Sequence, residues 1–290
     1  MPPIPITCLN GEFLPADRAM LPVADRGFRF GDGVFETLRL AEGVPYLWEA
    51  HLARLRAGLA AIHIPEPSVD WAHIARILME KNHAQEGFLR LAISRGVGSR
   101  GYMPDEGISP NWVMEYLPPA PAHPASCTLW LSTYQRVGPS MLPTAHKIAQ
   151  GLGSTLALLE AKANGAEEAL LLDRHGNLAE AASANLFWLS NGRLLTPALA
   201  SGCLAGITRA RLIEIAPLPV KEIMVPIEVI DVAECVFLTN TRIGVWPVSE
   251  IIGGDKPFST DHPMLTTLQS LMAQDRARYA TAHRAAWSRP

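Results

Sequence analysis

The sequence predicts a mixed α/β chain, α+β in character, folded as two domains. Three observations lead there. At ~150 residues per domain, 290 residues suggest two domains. Both halves mix strand and helix patterns without the regular alternation of a doubly wound sheet. The run PPAPAHP at 118–124 places four prolines within seven residues, which neither a helix nor a central strand can accommodate. The expected division is an N-terminal α/β domain over 1–118, a Pro-rich linker over 119–125 and a C-terminal domain over 126–290.

The elements follow in chain order. Segments 4–9 and 34–40 (VFETLRL) read as short strands, the second rich in β-branched and aromatic residues. From Trp48 to Ile62, Leu52, Leu55, Leu59 and Ile62 recur at helical steps, with Arg54 and Arg56 off the stripe. A second helix fits 70–83, with Trp71, Ile74, Ile77 and Leu78 on one side. Strands at 88–95 and 111–117 close the first half. The second half opens with a strand near 127–133 and a helical pattern from about 151 to 164. Strand 168–172 meets the turn signal DRHGN, and another strand follows at 184–189. A short helix at about 208–215, a strand at 235–239 and a helix over 262–283 complete the chain.

Composition narrows the function classes. With 48% hydrophobic residues the chain can build cores, and a net charge of −3 from 25 basic and 28 acidic side chains offers no basic stripe for nucleic acid. Cys8, Cys127, Cys203 and Cys235 form no C-x-x-C pair and read as reduced thiols. The sequence MPPIPITCLNGEF lacks a secretory pattern, and no run of ~20 apolar residues occurs, so a cytoplasmic protein without membrane contact is expected.

Several motifs carry little chemistry. GVGSRG at 96–101 satisfies G-x-G-x-x-G, but YMPDEG follows it where a dinucleotide site needs a helix N-terminus. The segment reads instead as an irregular loop, whose three glycines leave room for a ligand and which displays Arg100. His63, His73 and His83 lack carboxylate or cysteine partners at metal-ligand spacing, so no metal is expected. No G-x-S-x-G elbow is present.

Three features of the second half belong together. Lys147 precedes a stretch, 148–158, dominated by apolar and small residues that would desolvate an amine and favour Schiff-base chemistry. Alone, such a lysine is usually a solvated charge. Glu180 lies between two strand patterns among small residues, where an acid needs a cationic partner. LAGITRARL puts a glycine before a helix start, a ready anion site. A lysine amine, a buried acid and a phosphate cup are what pyridoxal 5'-phosphate requires.

These residues sit in blocks that resemble the class IV, fold-type IV pyridoxal-phosphate enzymes. The family comprises branched-chain aminotransferases, D-amino-acid and (R)-amine transaminases and 4-amino-4-deoxychorismate lyase. The blocks are DRGFRFGDGVFETLRL at 25–40, HLARL at 51–55, SRGVGSRGY at 94–102, EEALLLDRHGNLAEAASANLFW at 167–188, GITR at 206–209 and FLTNTRIGVWPV at 237–248. The resemblance implies two mixed domains with the cofactor between them, in a homodimer. It further implies that Lys147 binds the cofactor aldehyde and moves the substrate proton, while Glu180 keeps the pyridine nitrogen protonated. Arg54, the amides of Ile207 and Thr208 and the Thr241 hydroxyl would hold the phosphate. On the substrate side it points to Phe35, Arg100 and Tyr102, with Arg100 pairing a substrate carboxylate in its own or the partner's site.

Phe35 stands where D-amino-acid transaminases have tyrosine, and Arg100-Gly101-Tyr102 replaces their R-x-H. Leu152 stands where branched-chain enzymes place tyrosine. The 94–102 and 237–248 segments look most like the lyase, which forms 4-aminobenzoate and pyruvate for folate biosynthesis. A D- or branched-chain aminotransferase using a keto-acid acceptor is the alternative. A non-catalytic cofactor-binding protein would not need Lys147, and a dinucleotide oxidoreductase would need a helix where Pro104 stands.

Purified protein should be yellow, and borohydride should fix the cofactor irreversibly on Lys147. Peptide mapping checks this; an adduct on any other lysine, or none, refutes it.

Overall fold

Residues 4–119 and 121–288 are described by the computed structural model, and their backbone builds two sheets. The first has six antiparallel strands: β1 (Ile6–Leu9), β2 (Glu12–Pro15), β3 (Gly33–Ala41), β4 (Val44–Pro45), β5 (Gly87–Ser94) and β6 (Asn111–Leu117). Their order is β2-β1-β6-β5-β3-β4. Alternation along β3 sends Leu38 and Leu40 inward, and the same period brings Leu89, Leu91 and Ile93 of β5 to that core. Helices α1 (Arg26–Phe30), α2 (Trp48–Ala61) and α3 (Trp71–Lys81) accompany this sheet. The leucine stripe read on 48–62 is the buried stripe of α2: Leu52, Leu55 and Leu59 enter the core beside Trp71 and Leu78 of α3.

The second sheet is mixed. It contains β7 (Cys127–Leu131), β8 (Glu168–Leu172), β9 (Leu178–Ala181), β10 (Asn185–Ser190), β11 (Arg193–Pro197), β12 (Val220–Ile223), β13 (Cys235–Asn240) and β14 (Gly244–Ile251). The order is β12-β11-β10-β13-β14-β7-β8-β9, with parallel pairs at β11/β12, β14/β7 and β7/β8. All of β10 is buried, as expected for a strand covered on both faces. Phe187 stacks on Phe237 across β10 and β13, with ring centroids 5.3 Å apart. Helices α4 (Leu152–Ala163), α5 (Ile207–Ile215) and α6 (Pro263–Trp287) complete the elements.

The chain divides into two compact units, one comprising Met1–Pro121, His146–Gln150 and Arg276–Pro290, the other Ala122–Ala145 and Gly151–Asp275. The Lys147 segment thus clusters with the N-terminal half although it lies past the proline run. Among the described residues the mixed architecture matches the expected fold class, and no helix is long and apolar enough to cross a membrane.

Some elements differ from the sequence reading. The segment NTRIGVWPV, to which the sequence reading assigned no element, contains most of β14. Pro247 inside it argues against a strand, but it sits beside a register irregularity between Val248 and Glu250, where the ladder tolerates a missing N–H. The DRG motif forms the one-and-a-half-turn helix α1, too short to show periodicity. Its N-cap, Asp25, is fully buried and accepts from Gly27 N–H (2.7 Å), Ser94 Oγ (2.8 Å) and Asn111 Nδ2 (2.7 Å), joining α1 to β5 and β6.

Asp25→Ala removes one cap and strands two donors, so it should cost about 2–4 kcal/mol of stability in urea unfolding. A loss below about 0.5 kcal/mol would show that the three contacts are not structural.

Candidate active site

In the first unit β3 places a carboxylate, Glu36, in its inward row between Val34 and Leu38. Two residues three apart on α2 meet it, as i and i+3 positions share a helix face. His51 Nδ1 lies 2.7 Å from Glu36 Oε2, while Arg54 donates through Nε to Oε1 and through Nη2 to Oε2, both at 2.7 Å. Burial alone would raise the Glu36 pKa. The hydrogen bonds from His51 and Arg54, with the guanidinium charge, overcome it and hold the carboxyl at about 2. Burial lowers the His51 pKa, against the pull of Glu36, and the charges of Arg54 and Lys147 lower it further. Neutral imidazole therefore donates from Nδ1, a tautomer assigned from its carboxylate partner.

Lys147 is delivered to this cluster by backbone pairing. Val34 and Ile148 form an antiparallel bridge, Phe35 N–H donates to the Lys147 carbonyl (3.0 Å) and Ala149 N–H to the Gly33 carbonyl (2.8 Å). The Lys147 Nζ stands 4.5 Å from the centroid of the half-buried Phe35 ring, which Arg90 also approaches at 5.0 Å. The expectation that 148–158 desolvates the amine is corrected. Gln150, Gly151 and Leu152 are exposed, and α4 buries Ala157 and Ala161 instead, against β7 and β8. Lys147 lies against Phe35 of β3 and close enough to His51 of α2 for its charge to be felt there.

In the second unit Glu180 lies within β9, paired opposite Leu171, and not between strands as the sequence suggested. Its carboxylate is nearly buried and fully organised. Oε1 meets Arg136 Nε at 2.8 Å, and Oε2 accepts from Asn185 Nδ2 (3.1 Å) and the Leu204 N–H (2.9 Å). Arg136 is the cation that an acid in this position requires.

The α5 N-terminus suits an anion. Its N-cap is Gly206, no side chain caps it, and Ile207 and Thr208 open the helix. A Cβ at Gly206 would lie 2.0 Å from Asn185 Oδ1, so only glycine fits there. Thr241 is half-buried in the turn after β13, where Asn240 Oδ1 accepts from Arg242 N–H and Ile243 N–H. Nearby on β13, the buried Thr239 Oγ1 has no hydrogen-bond partner. Taken by itself, the second unit offers a carboxylate held by three donors, an uncapped helix start and an orphaned buried hydroxyl, which fit the pyridine nitrogen and phosphate of pyridoxal phosphate. The first unit offers an amine on a strand-paired segment, which fits the cofactor's aldehyde.

Arg100 and Tyr102, expected to meet the substrate, are exposed in the loop after β5. The expected spare room around its glycines holds at Gly101, where a Cβ would meet nothing within 4 Å, but not at Gly96 and Gly98. A Cβ at Gly96 would lie 2.0 Å from the Ser109 carbonyl, and one at Gly98 would lie 2.9 Å from Arg26 Cδ. His63, His73 and His83 are exposed, and His63 and His83 follow helix ends with positive φ. Glu36, His51, Arg136, Asn185 and Thr239 escaped the sequence reading. An acid in the inward row of VFETLRL was the one readable sign. Arg136 gave none, since its partner lies far along the chain, beyond α4 and β8.

The model of the amino-transferase class IV family matches residues 33–251. A putative branched-chain-amino-acid aminotransferase of Methanocaldococcus jannaschii is 31% identical over 252 residues, covering 84% of this chain and 87% of that protein. The solved 4-amino-4-deoxychorismate lyase of Pseudomonas aeruginosa superposes with a TM-score of 0.79 at 32% identity, covering 93% of this chain and 98% of that one. The branched-chain amino acid aminotransferase of Escherichia coli gives 0.85 at 27% identity, with 92% of each chain covered. Another solved branched-chain aminotransferase, holding pyridoxamine 5'-phosphate, gives 0.86 at 25% identity, with 96% and 97% covered. This chain belongs to the class IV aminotransferases. It is an enzyme of a pyridoxal-phosphate-dependent family that includes transaminases and lyases.

The Glu36 cluster has a pH signature. Its folded pKa lies below the ordinary 4.5, so pairing stabilises the fold above that value and the contribution is lost as pH falls toward about 2. Glu36→Gln should cost about 3 kcal/mol at pH ~7, with the difference from wild type shrinking at pH ~2. Urea titrations at the two pH values check this; equal losses at both would refute it.

Proposed function

We propose that this enzyme is a 4-amino-4-deoxychorismate lyase. The observation that carries the reading is the likeness to the Pseudomonas aeruginosa lyase at 32% identity over 98% of that chain. Phe35, Leu152 and Arg100-Gly101-Tyr102 support it, because they depart from the D-amino-acid and branched-chain patterns. Acting as a branched-chain aminotransferase is the second reading, favoured by TM-scores of 0.85 and 0.86 to solved enzymes of that name.

When bound, pyridoxal phosphate supplies an electron sink for negative charge on the carbon beside the substrate amine. The Lys147 Nζ would hold the cofactor through its aldehyde and would serve as the base that moves the proton of that carbon. Glu180, kept in place by Arg136, Asn185 and the Leu204 amide, holds a proton on the pyridine nitrogen. As the family resemblance implies, Arg54, whose guanidinium orientation is fixed by Glu36, and the amides of Ile207 and Thr208 with the Thr241 hydroxyl would hold the phosphate. Arg100 pairs with a substrate carboxylate. In the lyase reading, the enolpyruvyl group departs as pyruvate and aromatisation leaves 4-aminobenzoate.

We also propose a homodimer. Met20, Val23, Phe28, Tyr102 and Met103 are each three-quarters or more exposed, an apolar surface suited to a second copy of the chain.

Supplied with aminodeoxychorismate and no keto acid, the enzyme should release pyruvate and 4-aminobenzoate over many turnovers. In parallel, D-alanine and leucine are offered with 2-oxoglutarate or pyruvate. Silence with aminodeoxychorismate and acceptor-dependent conversion of an amino acid would establish the transaminase instead.

A further inference from the structure

Arg26, the first residue of α1, is a permanent cation whose side chain is 4% exposed. Its Nε pairs with Asp32 Oδ2 at 2.8 Å. Its other two nitrogens donate to main-chain carbonyls in the loop after β5, Nη1 to Gly101 at 3.0 Å and Nη2 to Tyr102 at 2.6 Å. The guanidinium lies 4.8 Å from the Phe30 ring centroid, and that ring meets Tyr102 at 5.4 Å. Burying a guanidinium is unfavourable unless each donor finds an acceptor, and here two of the acceptors are backbone atoms of one short loop.

The anchor is itself secured. Asp32 also binds Arg95 Nε and Nη2 at 2.7 and 2.9 Å, and Arg95 continues to the carbonyls of Ile62 and His63. Gly98 lies where the Arg26 side chain crosses, with Cδ 2.9 Å from where a Cβ would stand. On the other flank Ser99 N–H and Oγ donate to Asp105 at 2.7 and 2.6 Å. Arg100 stands between these fixings, with Ser99 tied on one side and Gly101 on the other, while its own side chain is exposed. Gly101 has φ +98, so this stretch is conformationally permissive unless held.

We propose that Arg26 is a positioning residue for Arg100: it freezes the loop so that the Arg100 guanidinium meets the substrate carboxylate already ordered. The inference rests on the carboxylate role proposed for Arg100. Preordering removes an entropy cost from substrate binding, so its loss raises KM and spares kcat and cofactor affinity.

The test uses the holoenzyme and the variants Arg26→Gln, Arg26→Lys and Gly98→Val, the last displacing the Arg26 side chain without altering it. Tryptic scission of the Arg100–Gly101 bond is followed by mass spectrometry. Kinetics use aminodeoxychorismate, or D-alanine or leucine with an acceptor where one of these is the substrate. In Arg26→Gln and Gly98→Val, scission should accelerate about tenfold and KM rise about tenfold, with kcat and cofactor Kd within about threefold of wild type. Arg26→Lys, which keeps the charge, should be intermediate. In an Arg100→Ala background, Arg26→Gln should raise KM no further. Unchanged scission overturns the clamp, as does a KM rise that persists in full without Arg100. An Arg100→Ala enzyme with unchanged KM overturns the carboxylate role itself, so the two failures are read on separate measurements. If Arg26→Gln does not fold, Gly98→Val decides.

Discussion

A carboxylate withdrawn from water must be met by donors, and that requirement organises this chain. Asp25, Asp32, Glu36 and Glu180 are each reached by several donors from elements distant in sequence. Each arrangement is therefore a cross-link as well as a charge pair. Asp25 binds α1 to β5 and β6, Glu36 binds β3 to α2, and Glu180 binds β9 to the 136 and 204 segments. Breaking one partner leaves the other buried and uncompensated, which is why such groups cost more to disrupt than they contribute as isolated bonds.

The same requirement decides which charges can do chemistry. Arg54 gives two of its N–H donors to Glu36, and this fixes the plane of the guanidinium without a rotamer search on binding. Glu180 has both oxygens oriented by its own unit. Its geometry is thus set before any ligand arrives, which is how preorganised electrostatics lower a barrier. Lys147 is different: it is its backbone that is laced to β3.

Much of the fold was readable because periodicity reports burial. The stripe of α2 and the alternation of β3 each mark a face that must leave water. Short elements such as β2, β4 and α1 carry too few residues to show a period. Strand β14 was hidden by Pro247 and β9 by its small residues. For the candidate site, the acid of Glu180 could be read as needing a cation, and Arg136 supplies one, whereas the surroundings of Lys147 could not be read from the residues that follow it. Arg136 itself was not legible, because a loop arginine looks the same whether or not it folds back onto a carboxylate. Glycines were legible as markers but not in meaning. Gly98 accommodates a neighbouring side chain, and Gly206 accommodates an amide oxygen.

The uncapped start of α5 has a consequence for the life of the protein in the cell. A helix that begins on Gly206 without a side-chain acceptor leaves its first amides in need of an anion, and its macrodipole unopposed. An anion bound there stabilises the folded chain by mass action, by about 2.7 kcal/mol at a hundred times its dissociation constant. Were that anion the phosphate of the cofactor, chains made while the cofactor is scarce would be the ones most readily unfolded and degraded, and the pool of enzyme would follow the pool of cofactor.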